Sequence, residues 1–258
     1  MVGRVEKYLL KKVRRDGAIH MTLIDPEKLS LESASHIARE AESGQTAAIM
    51  VGGSTFVSTP HLDDTIRAIK NAVSIPVILF PNNVTGISKY ADAIWFMSLL
   101  NSLDPYFIVG AQVLAAPLIR KFGIEAIPLG YIIVGQGATV GIIGRASPIP
   151  YDKPELAAAH ALAAQYLGMR FVYLEAGSGA KQPVPNEMVR TVRKLVSIPL
   201  IVGGGIKKGA QVKEKVDAGA DVIVTGNVVE GGETRGKVKE LVKHVKWYRR
   251  AMKQLKHR

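Results

Sequence analysis

Short apolar runs alternate with helical patterns along the whole chain, and this alternation restricts the possible folds more than any other feature of the sequence. Eight runs predict strands, at residues 18–24, 47–51, 77–80, 93–97, 126–134, 171–174, 200–202 and 222–225. Several are continuously apolar, as expected for parallel strands covered by helices. Eight alternations within 258 residues favour an α/β protein with a closed (β/α)8 TIM barrel. An open doubly wound sheet remains the alternative.

The connections between these strands predict one domain, residues 1–258. Helical patterns lie at residues 30–43, 59–73, 105–122, 153–167, 187–196 and 208–217, and a final helix is expected from Arg235 to about Lys256. The third connection, residues 85–90, is too short for a crossover helix, so we expect a short or missing third helix there. No Pro/Ser-rich linker divides the chain.

The distribution of charge along the chain and its composition argue against some classes of function. The net charge of +12 comes from residues 1–16 (+4) and 233–258 (+8), which leaves residues 17–232 neutral. A neutral body argues against a nucleic-acid groove. The last segment has an apolar stripe at helical spacing, typical of a helix packed on the body: Val238, Leu241, Val242, Val245, Met252 and Leu255. Attraction of its basic face to an anionic membrane surface is the alternative. The chain has no cysteine and no apolar run of about 20 residues, so we expect a cytoplasmic protein without a membrane span.

Glycine-rich segments follow the last two predicted strands, where TIM barrels commonly bind phosphate. Gly204 and Gly205 follow strand seven, and Gly226 and Asn227 follow strand eight. Backbone N–H groups without a neighbouring Cβ can approach an anion closely, and Ser178 can add a hydroxyl from strand six. Alternatively, these glycines only allow the chain to turn at the ends of the strands. The dinucleotide and P-loop motifs are absent.

Two carboxylates at predicted strand ends are candidates for chemistry. Glu175 ends strand six and would face the site as a catalytic proton acceptor, unless it is a salt-bridged structural residue. Asp25 ends strand one and can share Mg²⁺ with substrate phosphates, unless it only caps the turn before Pro26. Ser54 offers a second, weaker oxygen ligand. His20 is expected to be a hydrogen-bonded residue of the barrel interior rather than a base.

These residues leave other functions open. The same phosphate loops suit a sugar-phosphate isomerase or aldolase, although no predicted strand contains the lysine that an aldolase needs for a Schiff base. A non-catalytic barrel that binds RNA or membrane through its basic ends is a third possibility.

Five motifs together resemble the geranylgeranylglyceryl phosphate synthases and the related heptaprenylglyceryl phosphate synthases. They are MTLIDPEK (21–28), FPNN (80–83), YLEAGSG (173–179), VGGGI (202–206) and TGN (225–227). MSLLNS (97–102) and GATVG (137–141) are more similar to the larger archaeal group. Two departures from the pattern are Arg145, where we expect an acidic residue, and Lys181, where we expect a small residue or proline.

The resemblance implies a Mg²⁺-dependent prenyltransferase that joins sn-glycerol 1-phosphate to geranylgeranyl diphosphate, the first ether bond of archaeal membrane lipids. It implies Glu175 as the residue acting on the substrate hydroxyl and Asp25 and Ser54 as Mg²⁺ ligands. It also implies a homodimer or a ring of dimers, and a homologue with another prenyl chain length is the alternative. The implied glycerol phosphate site comprises Tyr173, Leu174, Glu175, Ala176, Gly177, Ser178, Gly179, Gly204, Gly205, Gly226 and Asn227. We place the prenyl chain near residues 95–100, beside the short third connection.

Overall fold

The computed structural model describes residues 2–53, 58–226 and 234–255, with residues 246–255 described as backbone alone. Eight parallel strands close into a barrel in the order β1 to β8. They are β1 Ile19–Ile24, β2 Ala48–Val51, β3 Val77–Leu79, β4 Ala93–Leu99, β5 Glu125–Ile133, β6 Phe171–Glu175, β7 Leu200–Gly203 and β8 Val222–Thr225. The pairing of β1 with β8, with Met21 opposite Val224, closes the ring. The TIM barrel is therefore confirmed.

Helices cover the outside of the barrel. They are α1 Arg4–Asp16, α2 Leu31–Ser43, α3 Thr59–Ala72, α4 Ala111–Phe122, α5 Ala138–Ile143, α6 Pro154–Tyr166, α7 Asn186–Leu195, α8 Gly209–Asp217 and α9 Thr234–Leu255. Between β3 and β4 there is a single 3-10 turn, Val84–Gly86, where Asn83 Oδ1 accepts the Thr85 N–H at 2.8 Å. The short third connection is confirmed, and it leaves an opening in the ring of helices.

The structure differs from the sequence predictions at two helices and one turn. α1 was not predicted because its buried apolar residues are only Val5 and Leu9, within a strongly basic segment. The Glu125 carboxylate accepts its first N–H groups, from Val5 at 2.7 Å and Glu6 at 2.8 Å. The short α5 was also missed. The predicted helix 105–122 begins instead as a π-helical turn, Tyr106–Gly110, before α4.

His20 does not point into the barrel, which corrects the expectation for this residue. Successive side chains of a strand face opposite sides, and Met21 packs in the barrel interior. His20 therefore lies between the strands and the helices, fully buried, with Nδ1 3.0 Å from Thr46 Oγ1 and Nε2 2.9 Å from Thr225 Oγ1. Burial lowers its pKa to about 3, so the ring is neutral.

The amphipathic C-terminal helix packs on the body. In α9, Val238, Leu241, Val242 and Val245 are buried, and the helix lies against α2 and α8. The packing prediction is confirmed for these residues; the side chains of Met252 and Leu255, predicted for the same stripe, lie outside the described part. Among the described residues, no helix is long and apolar enough to cross a membrane.

Candidate active site

A cavity of about 430 Å³ opens at the carboxyl ends of the strands and has two chemically different halves. One half, the anion-binding rim, is lined by Ser178, Gly179, Gly204, Gly205 and Gly226, with Glu175 beside them. The other half, the apolar trough, is lined by Ile87, Phe96, Met97, Phe107, Ala111, Ala115 and Ile119. One continuous cavity can therefore hold an anion at one end and a hydrocarbon chain at the other.

Glu175 faces the cavity because it ends β6 on the same face as the inward-pointing Phe171 and Tyr173. The residue is 6% exposed, and Oε1 accepts the Gly177 N–H at 2.6 Å. Burial raises the pKa of Glu175 above its usual 4.5, while hydrogen bonds from the Tyr173 hydroxyl and Gly177 oppose the rise. A carboxylate with a raised pKa, kept in place by two donors, is suited to accept a proton.

Three aromatic rings form the floor between Glu175 and the barrel interior. The ring centroids of Phe80, Tyr131 and Tyr173 lie 5.2–5.7 Å apart. Burial, and then the charge of Glu175, raise the pKa of both tyrosines well above 10, so their hydroxyls stay protonated. The Tyr173 hydroxyl can therefore donate to the Glu175 carboxylate.

The backbone after β7 comes too close to its neighbours to carry side chains. Gly204 has φ +81°, and a Cβ there would clash with Glu175 Oε1 and lie 2.6 Å from the Gly177 nitrogen. Gly205 has φ +69°, and its Cβ would lie 2.9 Å from the Gln182 backbone. Glycine keeps these amides within reach of an anion. At Gly226 a Cβ would make only ordinary contacts.

The remaining predicted rim residues differ in what they can contribute. The side chains of Leu174 and Ala176 point away from the cavity, into a core cluster shared with α6 and α7, and neither residue lines the cavity. Gly177, with φ +100°, packs against Gly137 and Ala138 at the start of α5. Asn227 lies outside the described residues.

Asp25 lies at the edge of the mouth, behind Gly53. Its Oδ1 accepts the Glu27 N–H at 3.2 Å, which starts the 3-10 turn Pro26–Lys28, and its Oδ2 pairs with Lys28 Nζ at 3.2 Å. Gly53 lines the cavity, and a Cβ there would lie 2.5 Å from Oδ1. Asp25 therefore caps the turn before Pro26, as the alternative interpretation expected. Its second carboxylate oxygen, Oδ2, is not used by this cap. Ser54 lies outside the described residues.

The apolar trough lies where the third crossover helix is missing. Ala111 and Ala115 stand one turn apart on the inner face of α4, and Gln112 donates to the Met97 and Phe107 carbonyls, which fixes α4 against β4. The prediction named Phe96 and Met97 but missed Ile87, Phe107 and the α4 residues. The spacing of two small residues, Ala111 and Ala115, by one helical turn could have indicated that this face of α4 lines the trough.

The two departures from the family pattern lie at the surface. Arg145 has φ +49° and pairs with Asp104 at 3.2 Å, with 71% of its side chain exposed. Lys181 is exposed in the segment that follows Gly179. Neither residue lines the cavity.

The fold and the site define a class of proteins: (β/α)8 barrels with a glycine-rich rim after β6 to β8, suited to an anion, and one buried carboxylate beside it. The sequence matches the PcrB family over residues 10–245. The chain therefore belongs to the PcrB family. Its relatives include the geranylgeranylglyceryl phosphate synthases of Thermofilum pendens, 54% identical over 90% of this chain and 91% of the relative, and of Pyrococcus horikoshii, 57% identical over 89% and 90%. The family expected from the motifs is confirmed.

Solved structures agree with this assignment. The (S)-3-O-geranylgeranylglyceryl phosphate synthase of Thermoplasma acidophilum, solved with its substrate sn-glycerol-1-phosphate, superposes with a TM-score of 0.92 at 43% identity, covering 96% of this chain and all of that one. A thiamine phosphate pyrophosphorylase from Pyrococcus furiosus, 17% identical with a TM-score of 0.58, covers 91% of this chain and 98% of its own, and shares the fold alone.

Proposed function

We propose that this protein is a geranylgeranylglyceryl phosphate synthase, which transfers the geranylgeranyl group from its diphosphate to sn-glycerol 1-phosphate and releases diphosphate. The observation that carries the proposal is the single cavity in which the anion-binding rim and buried Glu175 adjoin the apolar trough. Archaeal relatives more than 50% identical bear that name, which supports the same reaction here.

In this proposal the rim holds the phosphate of sn-glycerol 1-phosphate. Backbone amides at Gly204, Gly205 and Gly226 would bind the phosphate oxygens, with Ser178 beside them. A glycerol phosphate bound there extends its far hydroxyl toward Glu175. The bound sn-glycerol-1-phosphate of the Thermoplasma acidophilum enzyme supports this choice of ligand.

Glu175 would then act as the proton acceptor. The oxygen of the far glycerol hydroxyl attacks C1 of the prenyl group, the bond from C1 to the diphosphate oxygen breaks, and an ether C–O bond forms. The proton of the hydroxyl passes to the Glu175 carboxylate, and diphosphate leaves with the electron pair of the broken bond. The raised pKa of Glu175 suits this role, because a base is most effective when its pKa is near the working pH.

Asp25, with Ser54 as a second oxygen, would hold Mg²⁺. Mg²⁺ commonly takes one or two protein carboxylates and completes its shell with water and substrate phosphates. Asp25 fits this pattern because it is one nearly buried carboxylate that lies against Gly53, a residue that lines the cavity. Bound Mg²⁺ neutralises negative charge on a diphosphate leaving group.

The apolar trough would hold the prenyl chain. Its wall is formed by aromatic and aliphatic side chains from β4, the π-helical turn and α4. Burying a chain there gains about 0.8 kcal/mol for each CH₂ removed from water, so the trough can supply most of the affinity for a long donor.

Two further parts of the proposal concern the whole protein. We propose that it forms a homo-oligomer, supported by the exposed apolar side chains of Leu103, Val109, Val113 and Ile142, which are 55–78% exposed. Light scattering on the purified protein tests whether it forms such an oligomer.

We propose a cytoplasmic location, which suits a chain without cysteine.

The function is tested by incubating the protein with sn-glycerol 1-phosphate, Mg²⁺ and prenyl diphosphates of increasing length, and weighing the lipid product by mass spectrometry. We expect geranylgeranylglyceryl phosphate and diphosphate, with no product when Mg²⁺ is chelated. Conversion of a sugar phosphate without a prenyl donor, together with no ether product, would contradict the proposal.

A further inference from the structure

The Asp25 carboxylate already has a cationic partner from its own turn. Lys28 Nζ lies 3.2 Å from Asp25 Oδ2, three residues along the chain. Oδ1 is engaged differently, because it accepts the Glu27 N–H and lies against the backbone of Gly53. Oδ2 is therefore the oxygen available to a cation, and Lys28 occupies it.

The turn that carries this ion pair is firmly held, while the lysine side chain is not. Asp25 is 8% exposed, and His61 Nε2 of α3 lies 2.9 Å from the Pro26 carbonyl oxygen, which ties the turn to the body. The Lys28 side chain is 48% exposed and, among the residues that the structure describes, pairs with Asp25 alone. Because about half of the Lys28 side chain is in contact with solvent, water screens this ion pair and lowers its contribution to stability. Lys28 can thus leave Asp25 without disturbing the turn.

We propose that Lys28 is an exchangeable counter-ion: it neutralises Asp25 while the site is empty, and it turns to the prenyl diphosphate when a divalent cation takes its place. This inference rests on the proposed function, which assigns to Asp25 the metal that accompanies the diphosphate. An ammonium group is a strongly hydrated point charge on a flexible stem, and it binds phosphate oxygens well.

This arrangement has two opposite consequences. Before the diphosphate arrives, Lys28 competes with the divalent cation for Oδ2, so the metal alone binds weakly. Once the diphosphate is present, Lys28 contributes a favourable charge to it. Lys28 thereby favours the joint binding of metal and diphosphate over binding of the metal alone.

Lys28→Met tests the inference, with Lys28→Arg as the conservative variant and Lys121→Met, on the exposed end of α4, as the matched control. Binding of Mn²⁺ alone to the substrate-free protein is followed by electron paramagnetic resonance of the free ion. We expect Lys28→Met to bind Mn²⁺ about two- to fivefold more tightly than wild type. At saturating Mg²⁺, its KM for geranylgeranyl diphosphate should rise about tenfold, with the KM for glycerol phosphate unchanged. Lys28→Arg and Lys121→Met should resemble wild type.

The outcomes separate this inference from the proposed metal site. Unchanged or weaker Mn²⁺ binding in Lys28→Met, or an unchanged KM for the prenyl diphosphate, overturns the role of Lys28. Asp25→Asn is measured in parallel: if it abolishes Mn²⁺ binding while Lys28→Met has no effect, only the inference about Lys28 fails. If Asp25→Asn binds Mn²⁺ as wild type does, the proposed metal site itself is wrong.

Discussion

At the scale of single residues, Glu175 and His20 are both buried titratable groups, and their surroundings give them opposite roles. Glu175 faces a cavity and keeps an oxygen near the anion-binding rim. His20 faces the layer between strands and helices and is hydrogen-bonded to two threonines. Burial raises the pKa of the first and lowers that of the second, because it disfavours the charged form in each case.

Replacing Glu175 should remove the proton acceptor without unfolding the protein. We expect Glu175→Gln to lower kcat by about 10²- to 10⁴-fold, the usual contribution of a positioned base. In the wild type, kcat/KM should fall toward acid pH with a midpoint above 4.5, because burial raises the pKa of Glu175. Steady-state kinetics across pH measures both effects. Glu155→Gln, on the exposed start of α6, is the control; equal activity in the two variants would contradict the role.

His20 should make stability depend on pH. Its pKa is about 3 in the folded protein and near 6.5 when unfolded, so the unfolded state binds more protons between these values. The contribution of neutral His20 to the free energy of unfolding is therefore fully present above pH 6.5. It is lost on acidification, by up to about 1.4 kcal/mol per pH unit. In denaturant titrations His20→Asn should show a shallower loss between pH 6.5 and 4 than His36→Asn, an exposed histidine of α2. Parallel curves for the two variants would show that His20 does not set this dependence.

At the scale of elements, the loop after β7 and helix α4 define the two ends of the cavity by different means. The loop depends on left-handed glycines packed against β6. α4 presents alanines to the trough on one face and exposed Val113 on the other. A substitution in each element can therefore be compared with a matched control elsewhere that does not touch the cavity.

Gly204→Ala should impair binding of glycerol phosphate. The added Cβ clashes with Glu175 and approaches the Gly177 nitrogen, in addition to the cost of a positive φ. Gly168→Ala is the matched control, since Gly168 has φ +84° and open space around it. Both variants should lose about 1 kcal/mol or more of stability, but only Gly204→Ala should weaken sn-glycerol 1-phosphate binding in calorimetry. Equal affinities in the two variants would show that this glycine does not shape the site.

Ala115→Phe should shorten the prenyl chain that the trough accepts. Ala115 is 8% exposed and lines the trough, so a phenyl ring there fills space that a long chain would use. Competition between geranylgeranyl and geranyl diphosphates should shift toward the shorter donor. Val113→Phe, on the exposed face of the same helix, should leave the preference unchanged. A preference unaffected by Ala115→Phe would place the chain elsewhere.

At the scale of the whole molecule, the barrel could be predicted from the sequence because each strand and helix is encoded locally. The eight strands were found within a few residues of their bounds, and the missing third helix followed from a connection too short to hold one. The inward or outward direction of His20 could not be predicted, because both faces of β1 are buried, so the alternation of His20 and Thr22 with apolar residues does not show which face turns inward.

The candidate site could be predicted only in part for a related reason. Glu175 and the glycines follow strands, and strand ends converge at one rim of a barrel, so their proximity followed from topology. The trough instead combines residues 87, 96, 107 and 115, which belong to different elements and meet only through packing. The burial of Asp25 against Gly53 likewise depends on the fold of two separate loops, whereas its ion pair with Lys28 lies within a single turn.

The most direct test is a crystal structure of the protein with sn-glycerol 1-phosphate, Mg²⁺ and an unreactive thio-analogue of geranylgeranyl diphosphate. We predict the phosphate on the amides of Gly204, Gly205 and Gly226, the far hydroxyl within hydrogen-bond distance of Glu175, and the hydrocarbon chain between Phe107 and Ala115. A chain outside the trough, or a glycerol hydroxyl remote from Glu175, would contradict the account.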